Sequence, residues 1–262
     1  MSGHRGFGCK KRMVRIARPG QTAPIMTKTM IVEKIDALPW DDLRAGIDTE
    51  GWVATGPLLS AAECDRLIAL YDREDGFRGR VVMARHGLGR GEYRYFDYPL
   101  PDTVAGLRAA LYPHLAPLAN AWAEGLGEET TYPPDLAGFL DRCRVGGQAR
   151  PTPLLLRYGP GDFNRLHQDL YGPLAFPIQA TILLTDPAAF EGGEFLLVEQ
   201  RPRMQSRGEV VPLARGEAVL FCVNRRPVPG KRGFYRVVMR HGVSRLRAGG
   251  RHALGVIFHD AG

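Results

Sequence analysis

The sequence predicts a mainly β protein with flanking helices, built on a double-stranded β-helix (jelly roll) core. After Pro151 the chain consists of short β-type segments separated by glycine and proline. Eight such segments within about 110 residues match the two-sheet arrangement of a jelly roll. The predicted strands are 154–158, 165–170, 178–185, 194–199, 209–212, 218–223, 235–241 and 252–259. Together they predict a double-stranded β-helix core over residues 151–262.

The region before these strands, residues 33–150, is predicted to be a mixed and mainly helical support. Ser60 opens a capping box, which is the pattern of a helix start. Apolar residues spaced by three and four predict a long helix over residues 102–126. Pro113 and Pro117 are expected to break or kink that helix, because proline removes a backbone donor.

Composition and charge define the broad class of protein. Hydrophobic residues make up 44% and charged residues 24% of the 262 residues, as in an ordinary globular protein. The net charge of +7 arises in the N-terminal segment, and residues 1–32 are therefore predicted to form a basic, flexible tail. The sequence has no long apolar run and its cysteines are scattered. We therefore expect no membrane span, a cytoplasmic location and reduced thiols, and nothing indicates an obligate protein partner.

A histidine and a carboxylate two residues apart form the first part of a candidate metal site. His167 and Asp169 lie near the end of the second predicted strand, where alternate side chains point to one face. His241, near the end of the seventh predicted strand, can supply a second imidazole. Two histidines and one carboxylate form the facial triad of non-haem iron(II) oxygenases. The alternative is a chance tripeptide together with a histidine of the core.

A candidate for holding a co-substrate follows ten residues after His241. Arg251 begins the last predicted strand, and its planar guanidinium can bind a carboxylate through two parallel hydrogen bonds. Ala253 and Gly255 share its face and are small, which leaves room for 2-oxoglutarate. The alternative is a surface arginine like Arg245.

Four motifs over residues 150–262 resemble, in the same order, those of the 2-oxoglutarate/iron(II) dioxygenases. The last of them looks like the arginine-bearing final strand of that superfamily, and the first resembles the strand and turn that precede the metal motif in prolyl hydroxylases. The motifs are Leu156–Gly161, Glu191–Phe195, Arg215–Phe221 and Arg251–Phe258. The chain as a whole is similar to a bacterial oxygenase family described as acting on alkylated (damaged) DNA.

This resemblance implies Fe(II), 2-oxoglutarate as co-substrate and O2. It implies that Arg251 pairs with the far carboxylate of 2-oxoglutarate and that Tyr158 is a further contact, unless Tyr158 is a core tyrosine. His252 and His259 are expected to be structural. The sequence departs from the AlkB dealkylases, which carry a second arginine where this chain has Ile257.

The leading substrate is an alkylated nucleobase, with single-stranded DNA as the partner. A basic run interleaved with aromatic residues can supply phosphate contacts and a stacking surface, or it is an edge hairpin with ordinary surface charge. The substrate residues proposed from this run are Arg78, Arg80, Arg94 and Tyr95. The alternatives are a protein (prolyl-type) hydroxylase, a small-molecule hydroxylase and a non-enzymatic jelly-roll binding module.

Overall fold

The computed structural model describes residues 27–262, so most of the predicted tail lies outside the described residues. The first helix takes in residues 28–32 of that tail, because Ile31 and Ile35 are buried against the body of the protein. The helices are α1 (Lys28–Asp36), α2 (Trp40–Glu50), α3 (Ala61–Leu70), α4 (Asp102–Leu126) and α5 (Leu136–Val145). None of these helices is long and apolar enough to cross a membrane.

Fifteen strands are present in the described part of the chain. The first four precede the predicted core and are β1 (Trp52–Pro57), β2 (Phe77–Val82), β3 (Gly89–Arg90) and β4 (Glu92–Phe96). The others are β5 (Leu154–Tyr158), β6 (Phe163–His167), β7 (Ile178–Leu183), β8 (Phe190–Gly192), β9 (Phe195–Gln200), β10 (Arg207–Val211), β11 (Glu217–Cys222), β12 (Arg225–Gly230), β13 (Gly233–Val243), β14 (Leu246–Gly249) and β15 (Arg251–Val256).

The strands form two main antiparallel sheets, which confirms the predicted jelly-roll class. The larger sheet has the order β1-β11-β7-β15-β5-β4-β2. The smaller one has the order β10-β9-β13-β6-β3, with β12 paired to β13. A two-stranded ribbon, β14-β8, lies apart from them. All eight predicted strands have counterparts, but the N-terminal region adds β2 and β4 to the edge of the larger sheet.

The two faces of the larger sheet have different surroundings: one packs in the apolar core and the other lines a cavity. Leu155 and Leu254 belong to the main apolar core, which also contains residues of the helices. Leu154, Leu156 and Ala253 alternate with them and line a cavity on the opposite face. The helices therefore support one face of the sheet and leave the other free to build a site.

Helix α4 differs from its prediction, because it runs unbroken through Pro113 and Pro117. An interior proline costs about 3 kcal/mol in helix propensity. Leu111, Tyr112 and Leu115 are fully buried around these prolines, and their packing offsets that cost. Tertiary burial rather than local propensity decides the length of this helix.

Candidate active site

His167, Asp169 and His241 lie together inside the jelly roll. His241 is the register partner of His167 across the β13–β6 pair, and their ring centroids are 4.2 Å apart. The Asp169 carboxylate lies 3.4 Å from Nε2 of each histidine, one oxygen to each. One ligand atom from each residue fits within a mutual distance of 4.8 Å. The three predicted ligands thus form one compact cluster.

The backbone that carries His167 and Asp169 differs from the prediction. Strand β6 ends at His167, so Asp169 reaches the cluster from the loop beyond the strand and not by strand alternation. The β13–β6 register shifts just after His241. A Cβ atom on Gly242 would lie 2.7 Å from the carbonyl oxygen of Asn164, a distance that no ordinary side chain tolerates. Glycine therefore permits the close approach that lets His167 and Asn164 both face the cavity.

The pKa changes of His241 and Asp169 favour metal binding, whereas burial lowers the pKa of His167 and its contact with Asp169 raises it overall. The Nδ1–H group of His167 can donate to the carbonyl of Arg165 at 2.7 Å, which leaves Nε2 free to coordinate. Burial lowers the pKa of His241, as does the neighbouring His167. Burial opposes ionisation of Asp169, but its contacts with the two imidazoles hold its pKa well below the usual range. A neutral imidazole and an ionised carboxylate are the forms that bind a metal ion.

Tyr171 orients the carboxylate of this cluster. Its hydroxyl donates to Oδ1 of Asp169 at 2.7 Å. Tyr171→Phe should therefore keep the fold and weaken iron(II) affinity by about 10- to 100-fold, the usual effect of losing a hydrogen bond to a metal ligand. Competition with a fluorescent chelator measures this affinity. An unchanged affinity would show that Asp169 is held by other contacts.

A cavity of about 170 Å³ opens beside the cluster and leads to Arg251. Arg251 is 2% exposed, and its Nε and Nη1 atoms have no hydrogen-bond partner among the described residues. Burial lowers its pKa, but an arginine stays protonated in proteins. A buried cation without a partner is unfavourable, so the site is complementary to an anionic group.

The residues around Arg251 leave space for such a group. Ala253 and Gly255 line the cavity on the same strand, as their alternation predicts. Tyr158 is the register partner of Arg251, and its buried hydroxyl has no hydrogen-bond partner among the described residues. The donor set therefore fits iron(II), and the unpaired guanidinium with the Tyr158 hydroxyl fits a carboxylate of 2-oxoglutarate.

The four residues proposed to contact substrate divide between two faces of the larger sheet. Arg80 pairs with Glu92, and Arg94 donates to the carbonyl of Tyr71 at 2.6 Å; both lie on the face away from the cavity. Arg78 and Tyr95 lie on the cavity side, where the guanidinium of Arg78 stands 4.3 Å from the ring centroid of Tyr95.

The two other histidines of the predicted core, His252 and His259, lie outside the cluster. His252 is the register partner of Arg157 and lies on the face of β15 opposite the cavity. His259 is buried, and its Nδ1 accepts a hydrogen bond from the backbone N–H of Phe176 at 3.2 Å. Burial lowers the pKa of His259 to about 4, so it is a neutral, hydrogen-bonded core residue.

Several residues that face the cavity were missed by the sequence analysis. They are Asn164, Tyr171, Gln179 and Thr181. The alternation along β7 was the available signal for two of them, because Gln179 and Thr181 are the polar residues of an otherwise apolar strand.

The sequence matches the model of a family described as "Oxygenase, catalysing oxidative methylation of damaged DNA" over residues 91–261. An uncharacterised protein of Mycobacterium tuberculosis, found in two strains, is 49% identical over 167 residues, which are 63% of this chain and 72% of that protein.

Two solved structures align with most of this chain. A Pseudomonas putida prolyl-4-hydroxylase is 17% identical and aligns over 85% of this chain and 100% of its own with a TM-score of 0.48. An oxidoreductase of the 2OG-Fe(II) oxygenase family from Burkholderia pseudomallei is 18% identical and aligns over 85% of this chain and 91% of its own with a TM-score of 0.47.

Proposed function

Because the chain belongs to the oxygenase family described as catalysing oxidative methylation of damaged DNA, we propose that it oxidises alkyl groups on damaged nucleobases. The family confirms the predicted oxygenase class. The His-Asp-His cluster supports the predicted cofactors Fe(II), 2-oxoglutarate and O2, those of a 2-oxoglutarate/Fe(II)-dependent dioxygenase. The nucleobase substrate is the proposal.

The observation that carries the proposal is a triad of metal ligands at one end of a cavity whose other end is an unpaired buried arginine. In this proposal His167, Asp169 and His241 hold iron(II), Arg251 pairs with the far carboxylate of 2-oxoglutarate, and Tyr158 contacts the same co-substrate. When bound, iron(II), 2-oxoglutarate and O2 would supply the oxidation of a C–H bond, with one oxygen atom entering the substrate, the other entering succinate, and CO2 released from 2-oxoglutarate. The protein orients both and shields the reacting atoms from water.

Aromatic side chains near the cluster offer a surface on which a flat substrate can stack. Tyr93 and Tyr171 line the cavity, and Tyr95 packs edge-to-face against them at centroid distances of 5.2 and 6.1 Å. A damaged base must leave the stack to reach a buried metal, and an aromatic surface replaces part of the lost stacking energy. This extrusion costs least in single strands.

Exposed arginines close in sequence to cavity-lining residues can contact the phosphates. Arg85, Arg90 and Arg165 are exposed, and no carboxylate of residues 27–262 forms an ion pair with them. Between them, Leu88 and Asn164 line the cavity, and the Arg165 N–H bonds the carbonyl of Leu88 at 2.9 Å. These three arginines, named here the rim arginines, replace Arg80 and Arg94 as the proposed phosphate contacts.

The test is turnover on nucleic acid. An alkylated single-stranded oligonucleotide should stimulate succinate formation and lose its alkyl group as an aldehyde. Replacing the three rim arginines with alanine should reduce the slope of log affinity against log salt by about 2, because each lost phosphate contact contributes about 0.7 for single strands. Filter binding at several salt concentrations measures the slope.

A matched triple variant provides the control. Arg73 and Arg144 are exposed, Arg44 is half-buried, and all three are paired with nearby aspartates, so their removal changes net charge equally without altering the rim. Equal slopes for the two triple variants would refute the assignment of the rim. Stimulation by a protein fraction but not by any alkylated oligonucleotide would replace the nucleobase with the protein-hydroxylase alternative.

A further inference from the structure

Gln179 places a carboxamide without a partner in the wall of the active-site cavity. The residue lies on β7 and is 3% exposed. Its Oε1 atom has no hydrogen-bond partner among the described residues. A buried polar atom left unsatisfied is unfavourable and rare in native structures. Its position in a cavity wall indicates that a ligand supplies the missing hydrogen bond.

The position of Gln179 along β7 separates it from Arg251, the residue proposed to bind the carboxylate of 2-oxoglutarate. Thr181 is the register partner of Gly255 on β15, and Gln179 lies two residues farther from Arg251. At ~3.3 Å per residue, the backbones of Gln179 and Arg251 are separated by roughly 20 Å along the strands. The register partner of Gln179 is Phe221, whose ring centroid is 4.7 Å from that of His241. Along the strand direction, Gln179 therefore lies beside the metal cluster and far from the backbone of Arg251.

The hydrogen-bonding groups of the carboxamide indicate which kind of ligand can bind to it. A glutamine side chain offers two N–H donors and one carbonyl acceptor in one plane. This pattern is complementary to the edge of a nucleobase that carries an amino group beside a ring nitrogen, the same pairing by which glutamine recognises adenine. Tyr93 and Tyr171 line the same cavity and can hold the flat ring while its edge is bound.

We propose that Gln179 determines substrate choice by hydrogen-bonding the amino-bearing edge of the base that is oxidised, an inference that rests on the proposed function. The residue would act on binding of the base and not on binding of 2-oxoglutarate. It would favour alkylated bases that keep an exocyclic amino group over those that lack one.

The test combines a change in the protein with a change in the substrate. Gln179→Leu removes the carboxamide, and Gln179→Met is a second variant of similar length that remains informative if the first fails to fold. Each is assayed on a single-stranded oligonucleotide with one methylated, amino-bearing base and on the same oligonucleotide without that amino group.

The expected result is a loss of discrimination. The wild-type enzyme should prefer the amino-bearing base by about tenfold or more in kcat/KM, and the variants should treat the two oligonucleotides alike. The KM for 2-oxoglutarate should shift by less than about twofold, since a pairing with Arg251 is not disturbed.

Three outcomes would overturn the proposal, and they differ from one another. Equal discrimination by wild type and variants would show that Gln179 does not contact the amino group. A large rise in the KM for 2-oxoglutarate would assign the carboxamide to the co-substrate. Failure of every alkylated oligonucleotide to stimulate the wild-type enzyme would reject the proposed function itself, and the inference with it.

Discussion

Replacing His241 with alanine should abolish iron(II) binding and the formation of succinate from 2-oxoglutarate. His241 supplies one of three protein ligands and is buried beside the carboxylate of Asp169 at 3.4 Å. Loss of a ligand should exceed the 10- to 100-fold loss expected when only a supporting hydrogen bond is removed. His167→Ala and Asp169→Ala should have the same effect. Metal content after dialysis and a succinate assay measure the two results.

His252→Ala is the matched control, because that histidine lies on the outer face of β15, away from the cavity. It should retain both iron and turnover. Thermal melting of each variant separates loss of metal from loss of fold. Full activity in His241→Ala would contradict the assignment of His241 as a metal ligand.

Arg251→Ala should weaken 2-oxoglutarate binding while iron(II) still binds. The guanidinium is buried and has Nε and Nη1 free for a carboxylate. A charge-assisted hydrogen bond is worth about 1.5–3 kcal/mol, which corresponds to a dissociation constant raised roughly 10- to 150-fold. Anaerobic calorimetry in the presence of iron measures this constant without turnover.

Two neighbouring arginines serve as controls for this effect. Arg245 stands 5.9 Å from the ring centroid of Phe163, and the exposed Arg247 is 4.0 Å from Glu194. Arg245→Ala and Arg247→Ala should leave the affinity for 2-oxoglutarate nearly unchanged. Equal weakening in all three variants would mean that general positive charge, and not one pairing, attracts the co-substrate.

The catalytic core was predictable because its signals are local. The spacing of His167 and Asp169, and the small residues Ala253 and Gly255 that follow Arg251, are visible in short stretches of sequence. Each stretch lies on a strand or at its end, so the strand period carries much of the geometry. The mode by which Asp169 reaches the cluster was not predicted, since the end of a strand depends on its partner and on Gly242.

Features that depend on long-range pairing were missed or misplaced. Strand β4 joins the larger sheet by pairing with β5, about sixty residues farther along the chain, and this register turns Arg94 away from the cavity. Sequence alone does not give that register, so Arg80 and Arg94 were assigned to the substrate. Strand β12 was missed because Pro227 and Pro229 resemble loop residues, although an edge strand tolerates proline.

We expect one cluster to hold iron and one arginine to hold 2-oxoglutarate in a single cavity. The decisive measurement is an anaerobic calorimetric titration of the metal-free protein with iron(II) and then with 2-oxoglutarate. The wild type should bind one equivalent of each, His241→Ala should bind neither, and Arg251→Ala should bind iron with weakened 2-oxoglutarate binding. Absence of iron binding in the wild type, or wild-type binding of both in His241→Ala, would contradict it.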